Sequence, residues 1–394
     1  MTAQQTAPRI WRVLGDKRGD NGQVERVARA LEARHGWNSA LRHLEMQPKF
    51  VLGKPRVGPT LYHLDPARSD PLEPPWPDLI LTSGRRPANA ALWIKQQSGG
   101  RAKIVLLGKP SGWMAHFDLI VTSAETLPAP YDNVLHIGLP LMDVDPARLE
   151  EGEARWRADL APLPRPLTAF LIGGPTNPFR YTAAVQARLR RRIEEVLDAG
   201  GTAYLVGSRR TPPGFMEGLA RGFDGMVQVF DWAQATGENP YAGLLALADR
   251  FVVTGDSISM QVEVVRLGKP LEIVPLPTGW LGRLDNGRRR LSAWLFQPRR
   301  DGRHMAETAR ITLARLLYRL KLLPQTRHFP AFHQMLIERG LASWIGEDTT
   351  PVSEPMSEPE YGQADALETD ADMARILARI ERLLAANGFS GGRP

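Results

Sequence analysis

The stretch from Leu244 to Pro275, LLALADRFVVTGDSISMQVEVVRLGKPLEIVP, constrains the fold more tightly than any other part of the chain. Its short apolar run, Arg250 to Thr254, reads as a buried strand that turns at Gly255-Asp256-Ser257. A helix is predicted from about Ser259 to Leu267, then a Gly-Lys-Pro break and a second strand, Leu271 to Pro275. Such a βαβ unit is right-handed and carries its turn at the carboxyl edge of a parallel sheet. Gly255 allows close backbone approach, and the free N–H groups and positive dipole end of the helix make an anion seat. Glu263 lies one helical turn beyond Ser259, where a carboxylate accepts hydrogen bonds from two ribose hydroxyls. The pairing points to a phosphate and a sugar held together; a surface ion pair of Glu263 with Arg266 or Lys269 is the plainer alternative.

The same kind of unit recurs along the chain. Residues 167–300 give three further polar turns, each after a predicted strand: Gly173-Gly174, Ser208 to Thr211 with Arg209 and Arg210, and a loop holding Asn239 and Tyr241. With Gly255 to Met260 they share one edge of a parallel sheet, the edge where ligands bind. The first half repeats the pattern. RIWRVLG (9–15) is a strand, and GDKRGDNGQ is a turn with room from Gly15, Gly19 and Gly22 and chemistry from Asp16, Lys17, Asn21 and Gln23. A helix is expected from about Val24 to Arg34, with Val24, Val27, Ala28 and Leu31 on one face. The first turn is neither a Walker loop nor GxGxxG, so a purely structural turn remains open. LTSGRRPANAAL adds another strand, turn and helix, with Arg85 and Arg86 available to the sheet edge, although one of them can serve as a helix cap.

A length of 394 residues exceeds one ordinary core. The expected organisation is an N-terminal doubly wound α/β domain (1–145), a linker (146–166) and a second such domain (167–300). C-terminal helices (301–346), an acidic disordered linker (347–370) and a terminal amphipathic helix with its tail (371–394) complete it. Met305 to Leu323 reads as a basic amphipathic helix that packs on the core, returns across to the first domain or lies on anionic lipid. Met373, Ile376, Ile380, Leu383 and Leu384 share one face of the last helix, which docks on the body or on a partner.

The chain lacks cysteine, which excludes a disulfide scaffold and thiolate chemistry. No basic start with a long apolar core opens it, and no run of about 18 apolar residues occurs. A cytoplasmic protein is expected, or one held peripherally at the inner face of the membrane. The formal charge is +7, with ten acidic and four basic side chains from Glu347 onward, so the preceding residues are markedly basic. Such a body is drawn to phosphorylated substrates or an anionic leaflet. Arginine runs at Arg188 to Arg192, Arg288 to Arg290 and Arg299 to Arg303 are equally readable as solvated faces. They lack the interleaved aromatics of a single-strand groove, so nucleic acid is not an expected partner. The eight histidines are scattered without HExxH, and no metal or cofactor is expected.

The segments GDKRGDNGQ, LTSGRRPANAAL, LIGGPTN, SRRTP, ENPYAGLLALAD and VVTGDSISMQVEVVRLGKP, in that order, resemble the ELM family over about residues 10 to 280. That family is named in eukaryotes for a mitochondrial-fission role and has bacterial members of uncertain activity. The last segment is also similar to the donor site of GT-B glycosyltransferases, such as those making lipid A disaccharide and the lipid-linked peptidoglycan precursor. The resemblance implies two Rossmann-like domains facing across a cleft, with a nucleotide-sugar as substrate on the C-terminal one. It gives the ribose to Glu263 and the diphosphate to Gly255, Ser257, Ser259 and Met260, with Asp256 among the donor-binding residues. Gly173, Gly174, Ser208, Asn239 and Tyr241 complete the donor side, and Arg209 or Arg210 neutralises the leaving diphosphate in place of a metal. Asp16 is the candidate general base, unless it only caps its own turn, and Lys17, Gly19, Asn21, Gln23, Arg85 and Arg86 form the acceptor side. Gln261 departs from the family, whose bacterial members usually carry an acidic or small residue there. The implied function is metal-independent transfer of a sugar to an envelope or lipid-linked acceptor. The alternative is an inactive scaffold of the same fold that recruits a protein partner at a membrane.

Overall fold

Short apolar runs in the first half of the chain are buried on both faces, as strands of a parallel sheet between helices must be. The computed structural model describes residues 7–52, 55–109, 112–142, 144–176, 178–234, 237–279, 291–292, 294–296, 309–320, 322–323, 326–347 and 363–389. The chain divides into two units: Met1–Met142 with Leu291–Arg327 and Leu367–Pro394, and Asp143–Arg290 with His328–Ala366. Each is built on its own parallel six-stranded sheet, so the chain is an α/β protein with two such sheets.

The first unit opens with β1 (Ile10–Leu14), α1 (Arg18–His35), β2 (Ser39–His43) and α2 (Pro48–Leu52). It continues with β3 (Leu79–Ser83), α3 (Arg85–Gln97), β4 (Lys103–Leu107), β5 (Leu119–Ser123), β6 (Thr126–Leu127) and β7 (Val134–Ile137). The sheet order is β2-β1-β3-β4-β5-β7. Val24, Val27, Ala28 and Leu31 of α1 are buried against one face, and Gly36 ends the helix in the left-handed conformation that glycine adopts without strain. The helix starts at Arg18, well before the expected Val24. Its first turns carry no apolar stripe, so periodicity is silent there. Asn21 anchors them, its Nδ2 donating to the Gly15 carbonyl at 2.7 Å.

The second unit begins with α4 (Pro146–Leu160), the helix that the sequence gives to a linker. Asp145 caps it through the Ala147 N–H. There follow β8 (Leu167–Ile172), α5 (Ala183–Asp198), β9 (Thr202–Gly207), α6 (Phe215–Ala220) and β10 (Gln228–Phe230). Then come α7 (Tyr241–Leu247), β11 (Arg250–Thr254), α8 (Ile258–Arg266) and β12 (Leu271–Val274). α4 lies close on α7 because both present small residues: a Cβ on Gly152 would stand 2.6 Å from that of Ala242, and one on Gly243 2.5 Å from that of Trp156. On α5, Val185, Leu189, Ile193 and Val196 form the buried stripe. The arginine run there is partly structural. Arg192 holds buried Glu272 of β12 in an ion pair (2.6 Å), and Arg190 donates to the carbonyls of Gly218, Leu219 and Arg221.

The rest of the chain returns to both units. α9 (Ala309–Arg319) and β13 (Thr326–Arg327) join the first, where β13 pairs antiparallel with β6. α10 (Phe329–Glu338) and β14 (Ser343–Trp344) join the second, whose sheet order is β10-β9-β8-β11-β12-β14. α11 (Gln363–Ala385) docks on the first unit: Ile376, Leu377, Ile380 and Leu384 enter the same core as α1. Glu381 receives Arg34 and His35, both at 2.9 Å, and Asp372 accepts the Gly138 N–H. The arginine runs 288–290 and 299–303 lie outside the described residues. So does the acidic stretch as far as 362, beyond which the chain is helical from Gln363.

Candidate functional site

Three turns leave the carboxyl ends of adjacent strands in the second unit: 173–174 after β8, 208–211 after β9 and 255–257 after β11. Strands about 4.8 Å apart bring these turns within about 10 Å of one another. Only glycine fits between them. A Cβ on Gly173 would lie 2.2 Å from Ser257 Oγ, and one on Gly174 would lie 2.3 Å from the Cβ of Arg210. The Gly173 N–H donates to Thr254 Oγ1 at 2.8 Å and the Gly174 N–H to Asp256 Oδ2 at 2.9 Å. Tyr181 donates to Asp256 Oδ1 at 2.8 Å and lies 3.0 Å from Thr254 Oγ1. Thr211 Oγ1 closes the third turn, accepting the Ser208 N–H (2.7 Å) and lying 2.7 Å from the Gly173 carbonyl.

Asp256 is therefore spent inside the site. Burial raises its carboxyl pKa, against the hydrogen bonds from Tyr181, Thr254 and the Gly174 N–H; burial and then Asp256 push the Tyr181 hydroxyl up. The carboxylate clips two turns together, and its bearing on a ligand runs through the backbone that it holds. Gln261 is fully buried and donates to the Thr254 carbonyl at 3.2 Å, so it braces the same turn.

What faces outward is basic and rich in donors. Ser257 stands at the N-cap of α8 without a side-chain cap bond, which leaves the first helical N–H groups for something else. Ser259 is exposed and Met260 half-buried beside it. Arg209 and Arg210 are exposed; Arg209 lies 4.7 Å over the ring of Trp232, and Arg210 Nη1 is 3.2 Å from Thr176 Oγ1. A helix terminus with two arginines at the same sheet edge, across the Gly173-Gly174 turn, is an anion-binding arrangement.

Glu263 is half-buried on α8, and its Oε2 accepts a short hydrogen bond from the Tyr241 hydroxyl. Asn239 Oδ1 accepts the Tyr241 N–H at 2.9 Å and so sets the start of α7. The Arg148 guanidinium, from α4, lies 5.7 Å over the Tyr241 ring. Burial raises the pKa of Glu263, with Tyr241 and Arg148 opposing; burial followed by Glu263 raises that of Tyr241. Lys269 is engaged elsewhere, donating to the carbonyls of Ala246 and Ala248 at 2.6 and 2.8 Å; burial brings its pKa down to about 8. Beneath the Gly255 turn lies His333 of α10, 4% exposed, its Cε1 3.0 Å from where a Gly255 Cβ would stand.

The first-unit candidates collect around the ends of β1 and β3. Asp16 follows β1, is partly exposed and pairs with Arg86 at 3.8 Å. Lys17 holds the N-cap position of α1 with no side-chain cap bond, while Gly19, Asn21 and Gln23 lie in the first turns of that helix. Arg85 begins α3 and lines a small pocket with Asn89, Lys109, Val57, Leu106 and Phe117. Among the described residues no cluster of His, Cys, Asp or Glu is placed to hold a metal ion. Reading by motif passed over Arg148, Tyr181, Trp232 and His333. A tyrosine and a tryptophan near Gly turns were the available signals for two of them; Arg148 and His333 are adjacent to no motif.

A family model described as "Mitochondrial fission ELM1" matches residues 18–297, well over half of the chain. The Mitochondrial fission protein ELM1 of Arabidopsis thaliana is 27% identical over 220 residues, 50% of this chain and 51% of that protein. The chain thus spans about half the length of that curated relative. An uncharacterized protein of Rickettsia prowazekii, RP120, is 23% identical over 67% of this chain and 82% of its own length. Similar solved structures include a UDP-GlcNAc 2-epimerase from Neisseria meningitidis bound to UDP-GlcNAc, with 11% identity, TM-score 0.45, and 93% and 100% of the two chains covered. A glycosyltransferase from Rickettsia africae has 11% identity and TM-score 0.42 over 96% and 99%. At that distance neither likeness says anything about activity.

Proposed function

The chain belongs to the Mitochondrial fission ELM1 family, and from that membership and the geometry of its three converging turns we propose that it transfers a sugar from a nucleotide-sugar donor without a metal ion. The observation that carries this reading is the uncapped N-terminus of α8, with Glu263 on the same helix and Arg209 and Arg210 at the same sheet edge, on the turn two strands away. The diphosphate takes the N–H groups of α8 and the Ser259 hydroxyl. Glu263 Oε1, which has no donor among the described residues, takes the ribose hydroxyls; Tyr241 fixes the other oxygen. As the acceptor oxygen bonds to the anomeric carbon, the bond from that carbon to the diphosphate breaks, and the arginines meet the charge that develops on the leaving group. The acceptor, an envelope or lipid-linked hydroxyl compound met at a membrane surface, gives its hydroxyl proton to a general base, for which Asp16 is the candidate.

The test is a thermal-shift titration of the full chain with UDP, CMP and ADP, followed by transfer assays with the sugar-linked form of whichever binds. Stabilisation of the wild type by one nucleotide, lost in Glu263→Ala, supports the reading. Asp16→Asn would keep that binding and lose transfer. Identical melting of wild type and Glu263→Ala with every nucleotide would leave the second reading: a scaffold without transfer activity that recruits a protein partner. The fission-protein name of the Arabidopsis relative favours that alternative, although a name of that kind describes a role and no chemistry.

A further inference from the structure

Among the described residues of the first unit, most of the exposed large apolar side chains belong to one stretch of the chain. Leu291, Trp294, Leu313, Leu316, Leu320 and Leu322 each expose 46–59% of their surface. They are connected. Residues 291–292 and 294–296 are helical, and Arg310 donates to the Trp294 carbonyl at 2.9 Å, which fixes that segment against the start of α9. The other side of the same segments is core: Leu295, Phe296, Ala314 and Leu323 pack with Leu127 and Ala129. At about 100° per residue, Leu313, Leu316 and Leu320 fall within about 60° of one another, opposite Ile311 and Ala314. A helix apolar on both sides is expected to be covered on both; α9 is covered on one. Arg319, exposed, stands on one flank of the stripe, where a long cationic side chain reaches past an apolar layer to headgroups.

We propose that this face docks on an anionic phospholipid surface, with the leucines and Trp294 entering the headgroup boundary. Charge complementarity selects that occupant. Residues 280–327 contain twelve Lys or Arg against three Asp or Glu. A second copy seated on the same patch would bring Arg319 and a strongly basic stretch of sequence against their own copies across a two-fold axis, which opposes pairing. No helix among the described residues is long and apolar enough to cross a membrane, so the contact is interfacial. Tryptophan and leucine on a basic helix are the side chains such an interface takes. This inference goes beyond the sugar-transfer reading, and its test needs no nucleotide, so either can fail alone.

The test is co-sedimentation of the full chain with vesicles of phosphatidylcholine alone or with about a third phosphatidylglycerol, at low and high salt. The wild type should pellet with the anionic vesicles and little with the neutral ones. The double variant Leu313→Glu/Leu316→Glu should lower that partition at least about tenfold at an unchanged melting temperature. Arg319→Glu should weaken it several-fold and flatten the salt dependence. If the double variant melts early, Leu320→Gln alone, further out on the same stripe, should still reduce pelleting. Equal pelleting of wild type and leucine variants, or equal binding to both vesicle types, overturns the proposal. So does a dimer in light scattering that the leucine variants dissolve, since the face would then be a self-interface. Absence of vesicle binding in the wild type also overturns it and leaves a protein partner.

Discussion

His333 offers a quantitative check on the packing beneath the Gly255 turn. Its side chain is 4% exposed, its Nε2 has no hydrogen-bond partner among the described residues, and the rings of Phe329, Phe332 and Trp344 surround it. Burial holds its pKa down at about 4 against an ordinary 6.5, with a hydrogen bond to the Gly255 backbone pulling the other way. Proton affinity is thus depressed in the folded state, and as the pH falls the unfolded chain takes up the proton first. Stability is full above about pH 6.5, declines by about 1.4 kcal/mol per pH unit below it, and stops declining near pH 4, a loss of about 3 kcal/mol. His333→Phe keeps an aromatic ring among aromatic neighbours and removes the titration. Urea unfolding followed from about pH 7 to about pH 4.5 should therefore show the wild type losing about 2–2.5 kcal/mol relative to the variant. Other buried histidines, His63 and His328, have pKa values lowered in the same direction, but they cancel in the difference. Parallel curves for the two proteins would refute the reasoning, because a histidine that meets solvent when protonated carries no such penalty.

Three other consequences concern the site and the core. Gly174→Ala should destabilise the second unit by about 2–3 kcal/mol in urea unfolding, since a Cβ 2.3 Å from Arg210 forces two turns apart. Tyr181→Phe leaves Asp256 Oδ1 without its donor, and a loss of about 1–3 kcal/mol is expected by the same measurement. Ile380→Asp places a charge in the core shared by α1 and α11; limited proteolysis should then cleave α11 first, with the first unit destabilised by about 4 kcal/mol.

Much of the architecture was legible because parallel sheets advertise themselves. LILTS, KIVLL and LIVTS are continuous apolar runs, each followed by a polar turn, and all three became central strands of the first sheet. The places of α4 and α11 were less legible. A helix with several charges and few apolar residues reads as a connector, whereas α4 docks by removing side chains: Gly152 and Gly243 let backbone meet backbone, and glycine carries no hydrophobic signal. The start of α1 escaped for a related reason, since a first turn lying past the edge of the core has no stripe to read.

The donor-side turns show where residue type stops specifying role. Asp256 and Glu263 lie seven positions apart in one motif, and both are carboxylates whose pKa burial raises. Their partners separate them. Asp256 is occupied on both oxygens by groups from its own turns, so it sets backbone geometry. Among the described residues Glu263 is occupied on one oxygen only, by a tyrosine that an arginine from a distant helix covers. A carboxylate with one oxygen fixed and the other left over is oriented without being satisfied, and each carboxylate oxygen has two acceptor sites. Vicinal hydroxyls of a sugar supply donors at the matching spacing. Within the sugar-transfer proposal, the sugar hydroxyls therefore go to Glu263 and not to the aspartate beside the glycine, although the local sequence displays the aspartate more prominently.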